Sequence, residues 1–225
     1  MNLCSEHFLK KAQLSFLSES DFYCDFQSIS YPKQALIFEE GHSLKGVYLV
    51  LSGVCKISKM SSSGKYQIIQ FLKERTFLGI RSVLNNEPTN LKAETLTEME
   101  VCFVPKEYLF NQLNNDIEFS KSLMKILAQY IKDADNKIVS LGNKKLEERL
   151  ATFLLYLHTE FYNPSQDDYL FYLKREEIAN YIGVATESMI RMLKNFEQKN
   201  LICLEGRKII LKNRMELGRI AKGLT

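Results

Sequence analysis

Between residues 28 and 105 the apolar positions fall in short runs. Ala35 to Phe38, Val47 to Leu51, Val54 to Ile57, Tyr66 to Phe71 and Glu100 to Val104 are rich in β-branched and aromatic residues. Such side chains suit a pleated, half-buried surface. The pairs Glu40-Gly41, Lys45-Gly46, Ser52-Gly53 and Ser63-Gly64 separate or flank the runs as expected turns. The pattern predicts a small barrel or sandwich of short strands. After Asn114 the period changes. Leu123, Leu127, Tyr130, Ala134, Ile138 and Leu141 recur at spacings of three and four, which predicts a long helix over 116–141 with one apolar seam. Lys121, Lys125, Lys132, Asp133, Asp135 and Lys137 occupy its other faces. A narrow seam with charged flanks fits pairing with a second copy of the chain; packing on the chain's own β-domain is the alternative. Gly142-Asn143 is the expected end of this helix.

A second amphipathic helix carries Leu146, Leu150, Phe153, Leu154, Leu157 and Phe161, and residues 163–168 read as a polar loop. A short helix over Arg175–Tyr181, a turn at Gly183 and a helix over Thr186–Lys199 follow. A hairpin closes the pattern, with Ile202-Cys203-Leu204 and Lys208-Ile209-Ile210-Leu211 about Glu205-Gly206-Arg207. The expected class is α+β, in three parts: a β-domain over 1–115, a connecting helix over 116–142 and a helical domain with a hairpin over 143–225.

The 225 residues are 45% hydrophobic and 25% charged, ordinary values for a globular chain and far from those of a disordered or fibrous one. No apolar run approaches the ~20 residues of a membrane span. The N-terminus has no basic stretch followed by an apolar one, so the expected location is the cytoplasm, with no membrane partner. Cys4, Cys24, Cys55, Cys102 and Cys203 form no C-x-x-C pair, and His7, His42 and His158 have no metal-ligand spacing. No metal site is therefore expected. Nucleotide-loop and nucleophile-elbow motifs are also missing, which leaves an enzyme reading without a catalytic constellation.

Charge is uneven. The whole net charge of +3 comes from residues 143–225, where 14 basic residues face 11 acidic ones. A basic end on a neutral body suits a polyanionic partner. Helix, glycine turn and helix is also the arrangement that places a second helix in the DNA major groove. Ile178, Ala179 and Ile182 are expected to form the inner face of the first helix, and Ile190, Leu193 and Phe196 that of the second. Thr186, Glu187, Ser188 and Arg191 then stand near the N-terminal end of the second helix. Arginine is bidentate to guanine, and glutamate accepts from cytosine N4. Arg207 and Lys208 place positive charge on a wing suited to phosphates.

The segment 173–202, LKREEIANYIGVATESMIRMLKNFEQKNLI, resembles the DNA-binding signature of the bacterial Crp/Fnr transcription regulators. Leu36-Ile37-Phe38-Glu39-Glu40-Gly41 and Val47-Tyr48-Leu49-Val50-Leu51-Ser52-Gly53 resemble that family's cyclic-nucleotide-binding-type β-roll. The resemblance covers nearly the whole chain, in the family's order. It implies a jelly-roll-like β-roll, a long dimerisation helix and a C-terminal winged helix–turn–helix. It further implies a homodimer that binds an inverted repeat in double-stranded DNA under effector control and works with RNA polymerase. Glu187 and Arg191 match the family's readers of the shared half-site core, and Thr186 a position that selects outer bases. Lys174 and Arg175 are candidates for phosphate contacts.

Departures from the family pattern bear on the effector. Cyclic-AMP binders carry a Gly-Glu-Leu turn and, about ten residues on, an Arg-Ser pair that clamps phosphate and ribose. Here the corresponding stretches are Gly79-Ile80-Arg81-Ser82 and Leu91-Lys92. Without its charge partners a cyclic phosphate has little reason to bind, so cyclic AMP is not expected. Gly79, Ile80, Arg81, Ser82 and Lys92 remain the candidate effector site, with Arg81 and Lys92 able to hold another anion. Oxygen-sensing members bind an iron–sulfur cluster through closely spaced N-terminal cysteines; Cys4 and Cys24 lack that spacing, and no cofactor is expected. The competing reading is a sensory module that acts through protein partners with a degenerate DNA reader. The Glu187–Arg191 pair and the basic wing argue against it.

Overall fold

The computed structural model describes residues 28–161 and 173–224. The chain forms two compact units that meet between Tyr130 and Ile131. In the first, eight strands make two antiparallel four-stranded sheets: β1 (Ser28–Tyr31), β2 (Leu36–Phe38), β3 (Gly46–Ser52), β4 (Cys55–Met60), β5 (Tyr66–Leu72), β6 (Phe77–Leu78), β7 (Lys92–Thr95) and β8 (Met99–Pro105). The sheet orders are β1-β8-β3-β6 and β2-β7-β4-β5. Helices α1 (Ile80–Asn85) and α2 (Lys106–Asn115) also belong to this unit, together with the start of α3 (Ile117–Asn143).

Alternation along β3 and β8 builds two cores. Val50, Met99 and Val101 point into the space between the sheets, where they meet Phe38, Cys55, Ile57, Leu72, Leu78 and Ala93. Val47, Leu49, Cys102 and Val104 point to the other face of their sheet and meet Ile80, Val83, Leu109, Phe119 and Leu123. One sheet thus has both faces covered, as its run of apolar residues requires. Gly53, at φ +86°, turns β3 into β4, and a Cβ there would collide with the Glu98 carbonyl. Gly46 is not a turn residue as expected: it opens β3 and pairs with Pro105.

The apolar seam divides. Leu123 is buried in the chain's own β-domain core, and Leu127 and Tyr130 pack against it. Intrachain packing thus engages these three, which were expected to face a second copy of the chain. Ala134, Ile138 and Leu141 are exposed. A second stripe with a spacing of seven, Ile117, Met124, Ile131 and Ile138, runs along α3 with each side chain 64–70% exposed. Helical geometry persists through Gly142, so α3 ends two residues beyond the expected Leu141.

The second unit contains the end of α3, then α4 (Leu146–Phe161), α5 (Arg175–Ile182), α6 (Thr186–Gln198), the hairpin β9 (Ile202–Glu205) and β10 (Lys208–Leu211), and α7 (Arg214–Ala221). Leu150, Phe153, Leu154 and Leu157 of α4 are buried, and α7 lies against this helix. No helix among the described residues is long and apolar enough to cross a membrane.

Candidate nucleic-acid interface

Helix α5 begins where the Glu177 carboxylate accepts the Lys174 backbone N–H at 2.8 Å. This bond satisfies a donor next to the open helix end. It ends at Gly183, whose φ of 70° suits glycine, with the Gly183 N–H on the Ala179 carbonyl. Ile178, Ala179 and Ile182 are buried as expected. On α6 the buried stripe is Met189, Leu193 and Phe196. Ile190, expected to face inward, is 36% exposed. Its neighbour Met189 fills the core position at i, i+4, i+7 with Leu193 and Phe196, and the roughly 100° between successive residues turns Ile190 away.

The opposite side of α6 carries Glu187, Ile190, Arg191 and Lys194, all exposed, while Thr186 and Ser188 are half-buried. The Arg191 guanidinium makes a long contact of 3.4 Å to the Ser188 hydroxyl. No ion pair links Arg191 to Glu187 among the described residues. The helix's free N-terminal N–H groups add a favourable field for anions at this end.

The wing hairpin pairs Lys208 with Glu205 across a two-residue turn, with Gly206 at φ +60°. Arg207 is exposed and Lys208 half-buried. Lys174 is exposed, but Arg175 is placed differently from the expectation. Its guanidinium donates to the Gly206 carbonyl at 2.8 Å and to the Arg207 carbonyl at 3.4 Å. It holds the tip of the wing instead of standing open to a phosphate. The Glu197 carboxylate accepts the Leu204 N–H at 2.8 Å and ties α6 to the same hairpin.

Three cations fix the helix ends of this unit. The Lys137 ammonium donates to the Tyr181 carbonyl at 2.7 Å, and the Arg149 guanidinium donates to the Ile182 carbonyl at 2.9 Å. Both sit at the C-terminal end of α5, where carbonyls lack helical donors. Lys144 donates to the Ala221 carbonyl at 2.9 Å at the end of α7. Lys137, read from sequence as a solvated flank, lies against the Tyr181 ring, and burial pushes its ammonium down to about 7. Tyr181 stacks on Phe153, with ring centroids 4.4 Å apart. Sequence reasoning missed Lys137, Arg149 and the wing role of Arg175; only contacts distant in sequence identify them.

The candidate effector residues are buried, crowded or engaged within the chain. Ile80 and Ser82 are buried, Ile80 in the core beneath α1, and the Leu44 side chain crowds Gly79. Arg81 donates to the Asn90 amide oxygen. Lys92 pairs with Glu94 at 3.1 Å, and Lys56 reaches the same carboxylate at 2.8 Å. Burial alone would raise the Glu94 carboxyl, but hydrogen bonds from Lys56 and Lys92 outweigh it and hold the group below its usual range. Lys92 thus already has an internal counterion. No cluster of three His, Cys, Asp or Glu suited to a metal occurs among the described residues, and burial pushes the Cys55 thiol up to about 12. Cys4 and Cys24 lie outside the described residues.

Comparison with known proteins agrees with this geometry. The cyclic nucleotide-binding domain family matches residues 28–116, and the Crp-like helix-turn-helix domain family matches residues 148–220. The transcriptional activator protein Anr of Pseudomonas protegens is 30% identical over 193 residues, covering 85% of this chain and 79% of that protein. A CRP-like cAMP-activated global transcriptional regulator of Mycobacterium tuberculosis is 24% identical over 203 residues, covering 87% of this chain and 88% of its own. Among solved structures, FixK2 from Bradyrhizobium japonicum superposes with a TM-score of 0.77 at 26% identity, over 88% of this chain and 98% of that one.

Proposed function

This chain belongs to the Crp/Fnr family and is a DNA-binding transcription regulator; from that premise we propose that it acts as a homodimer on an inverted repeat, read by the outer face of α6. The observation that carries the reading is the division of α6 into two faces. Met189, Leu193 and Phe196 anchor it, while Glu187 and Arg191 stand exposed one turn apart near its N-terminal end. Arg191 pairs with a guanine, and Glu187 accepts from the amino group of the opposite cytosine or of a neighbouring pair. Thr186 and Ser188 at the helix start contact outer bases or backbone. Lys174, Arg207 and Lys208 contribute phosphate contacts that position the reader without adding sequence information.

Dimerisation rests on the exposed stripe Ile117, Met124, Ile131 and Ile138, whose spacing of seven is that of a coiled-coil seam. Ala134 and Leu141 are exposed beside it and join the interface. Two-fold symmetry then places half-site centres about one helical turn, roughly 10 bp, apart. Such a regulator works where bacterial DNA lies, in the cytoplasm. If it activates, as its relative Anr is named for doing, RNA polymerase is its second partner. Effector control through the β-domain runs on a ligand other than cyclic AMP, because Leu91-Lys92 stand where the Arg-Ser clamp is expected and Lys92 is already paired with Glu94. A mobility shift on duplexes recovered by binding-site selection tests the central reading. Whole sites should bind far more tightly than single half-sites, and equal affinity for both would overturn it.

A further inference from the structure

An isoleucine on the outer face of a reading helix needs a reason. Among the described residues of α6, Ile190 is the one large apolar side chain that stands exposed. It borders a stripe of charged residues, Glu187, Arg191 and Lys194. Its own domain leaves 36% of it exposed, because the core place goes to Met189. With about 100° between successive residues, Ile190 and Arg191 flank the Glu187–Lys194 line on opposite sides, and their Cα atoms differ by about 1.5 Å along the axis. The two side chains leave the axis about 100° apart, so a groove that takes the Glu187–Lys194 line meets Arg191 on one border and Ile190 on the other.

An aliphatic side chain can neither donate nor accept a hydrogen bond. On the floor of the major groove one base feature is apolar, the C5-methyl group of thymine. We propose that Ile190 is a specificity-determining residue that reads a thymine methyl within one base step of the guanine taken by Arg191. The proposal rests on the reading that α6 enters the major groove, and it adds a discrimination that hydrogen bonding by Glu187 and Arg191 does not supply. A cytosine or a purine at that position leaves Ile190 against polar edges, and thymine is then preferred through removal of apolar surface from water.

Replacement of thymine by deoxyuridine deletes this methyl and leaves every hydrogen-bonding group in place. The probe is the duplex recovered by binding-site selection with the wild-type protein, with each thymine of the half-site replaced in turn by deoxyuridine. At one position per half-site, wild-type affinity should fall by about fourfold, the worth of one buried methyl-sized group. Ile190→Ala, a surface change that leaves the helix core intact, should bind the thymine and uracil duplexes equally. If no single replacement shifts wild-type affinity beyond twofold, or if Ile190→Ala keeps the full thymine preference, the proposal fails. Glu187→Ala and Arg191→Ala, measured on the same duplexes, separate that failure from the loss of the underlying reading. If they relax discrimination while uracil has no effect, only the role of Ile190 falls. If they change nothing either, α6 is not the reader.

Discussion

Ile131→Glu tests the proposed dimer where the structure makes the sharpest distinction. Ile131 is 64% exposed in the single chain and stands in the stripe with Ile117, Met124 and Ile138. Full burial of such a side chain is worth about 1.5–3 kcal/mol, so the exposed two-thirds leaves roughly 1–2 kcal/mol for an interface to recover. The symmetry axis doubles this, and two opposed carboxylates add repulsion and desolvation. The loss should reach about 4 kcal/mol, roughly a thousandfold in the dimer dissociation constant. Sedimentation equilibrium across a concentration series reads it directly. Leu127→Glu is the control, because Leu127 packs on the β-domain core. It should lower the melting temperature of that unit instead of acting mainly on association. If Ile131→Glu associates as wild type does, the exposed stripe is not the seam.

Three further outcomes follow from the contacts. Lys137 is held at about 7 by burial, below its unfolded value; between pH 7 and 9 the unfolded chain therefore binds more protons, and stability rises with pH by up to ~1.4 kcal/mol per unit. Thermal melts should show this rise in wild type and a flatter profile in Lys137→Met; parallel profiles would contradict it. Arg175→Ala releases the wing tip from its bonds to the Gly206 and Arg207 carbonyls, and should weaken all DNA sequences alike. Lys208→Ala should do the same with a salt slope shallower by about 1, and unchanged affinity in both would remove the wing from the interface. Calorimetry with cyclic AMP should give no micromolar binding, and a micromolar dissociation constant would show that Lys92 can exchange Glu94 for a phosphate.

The sequence made the helix–turn–helix legible because Ile178, Ala179 and Ile182 keep helical spacing, Gly183 supplies the left-handed turn, and Leu193 and Phe196 continue the pattern. It misplaced Ile190 because four apolar residues crowd positions 189–193, and the choice of inward residue depends on where the helix starts. The same ambiguity divided α3. Two apolar stripes share that helix, and local period does not reveal that the β-domain takes Leu123, Leu127 and Tyr130. Strand β7 escaped notice because Lys92 and Glu94 interrupt its apolar pattern, and their charges are satisfied by each other and by Lys56. Arg175 looked like a phosphate ligand because the carbonyls that hold it belong to a turn more than 30 residues away.

Binding-site selection with wild type and Arg191→Ala in parallel tests the central claim most directly. Wild type should return an inverted repeat with one strongly selected guanine in each half-site. Arg191→Ala should return the same spacing with that position relaxed, at a loss of about 1–3 kcal/mol on the wild-type site. Recovery of the wild-type consensus by Arg191→Ala, with equal preference at every position, would contradict base reading by α6.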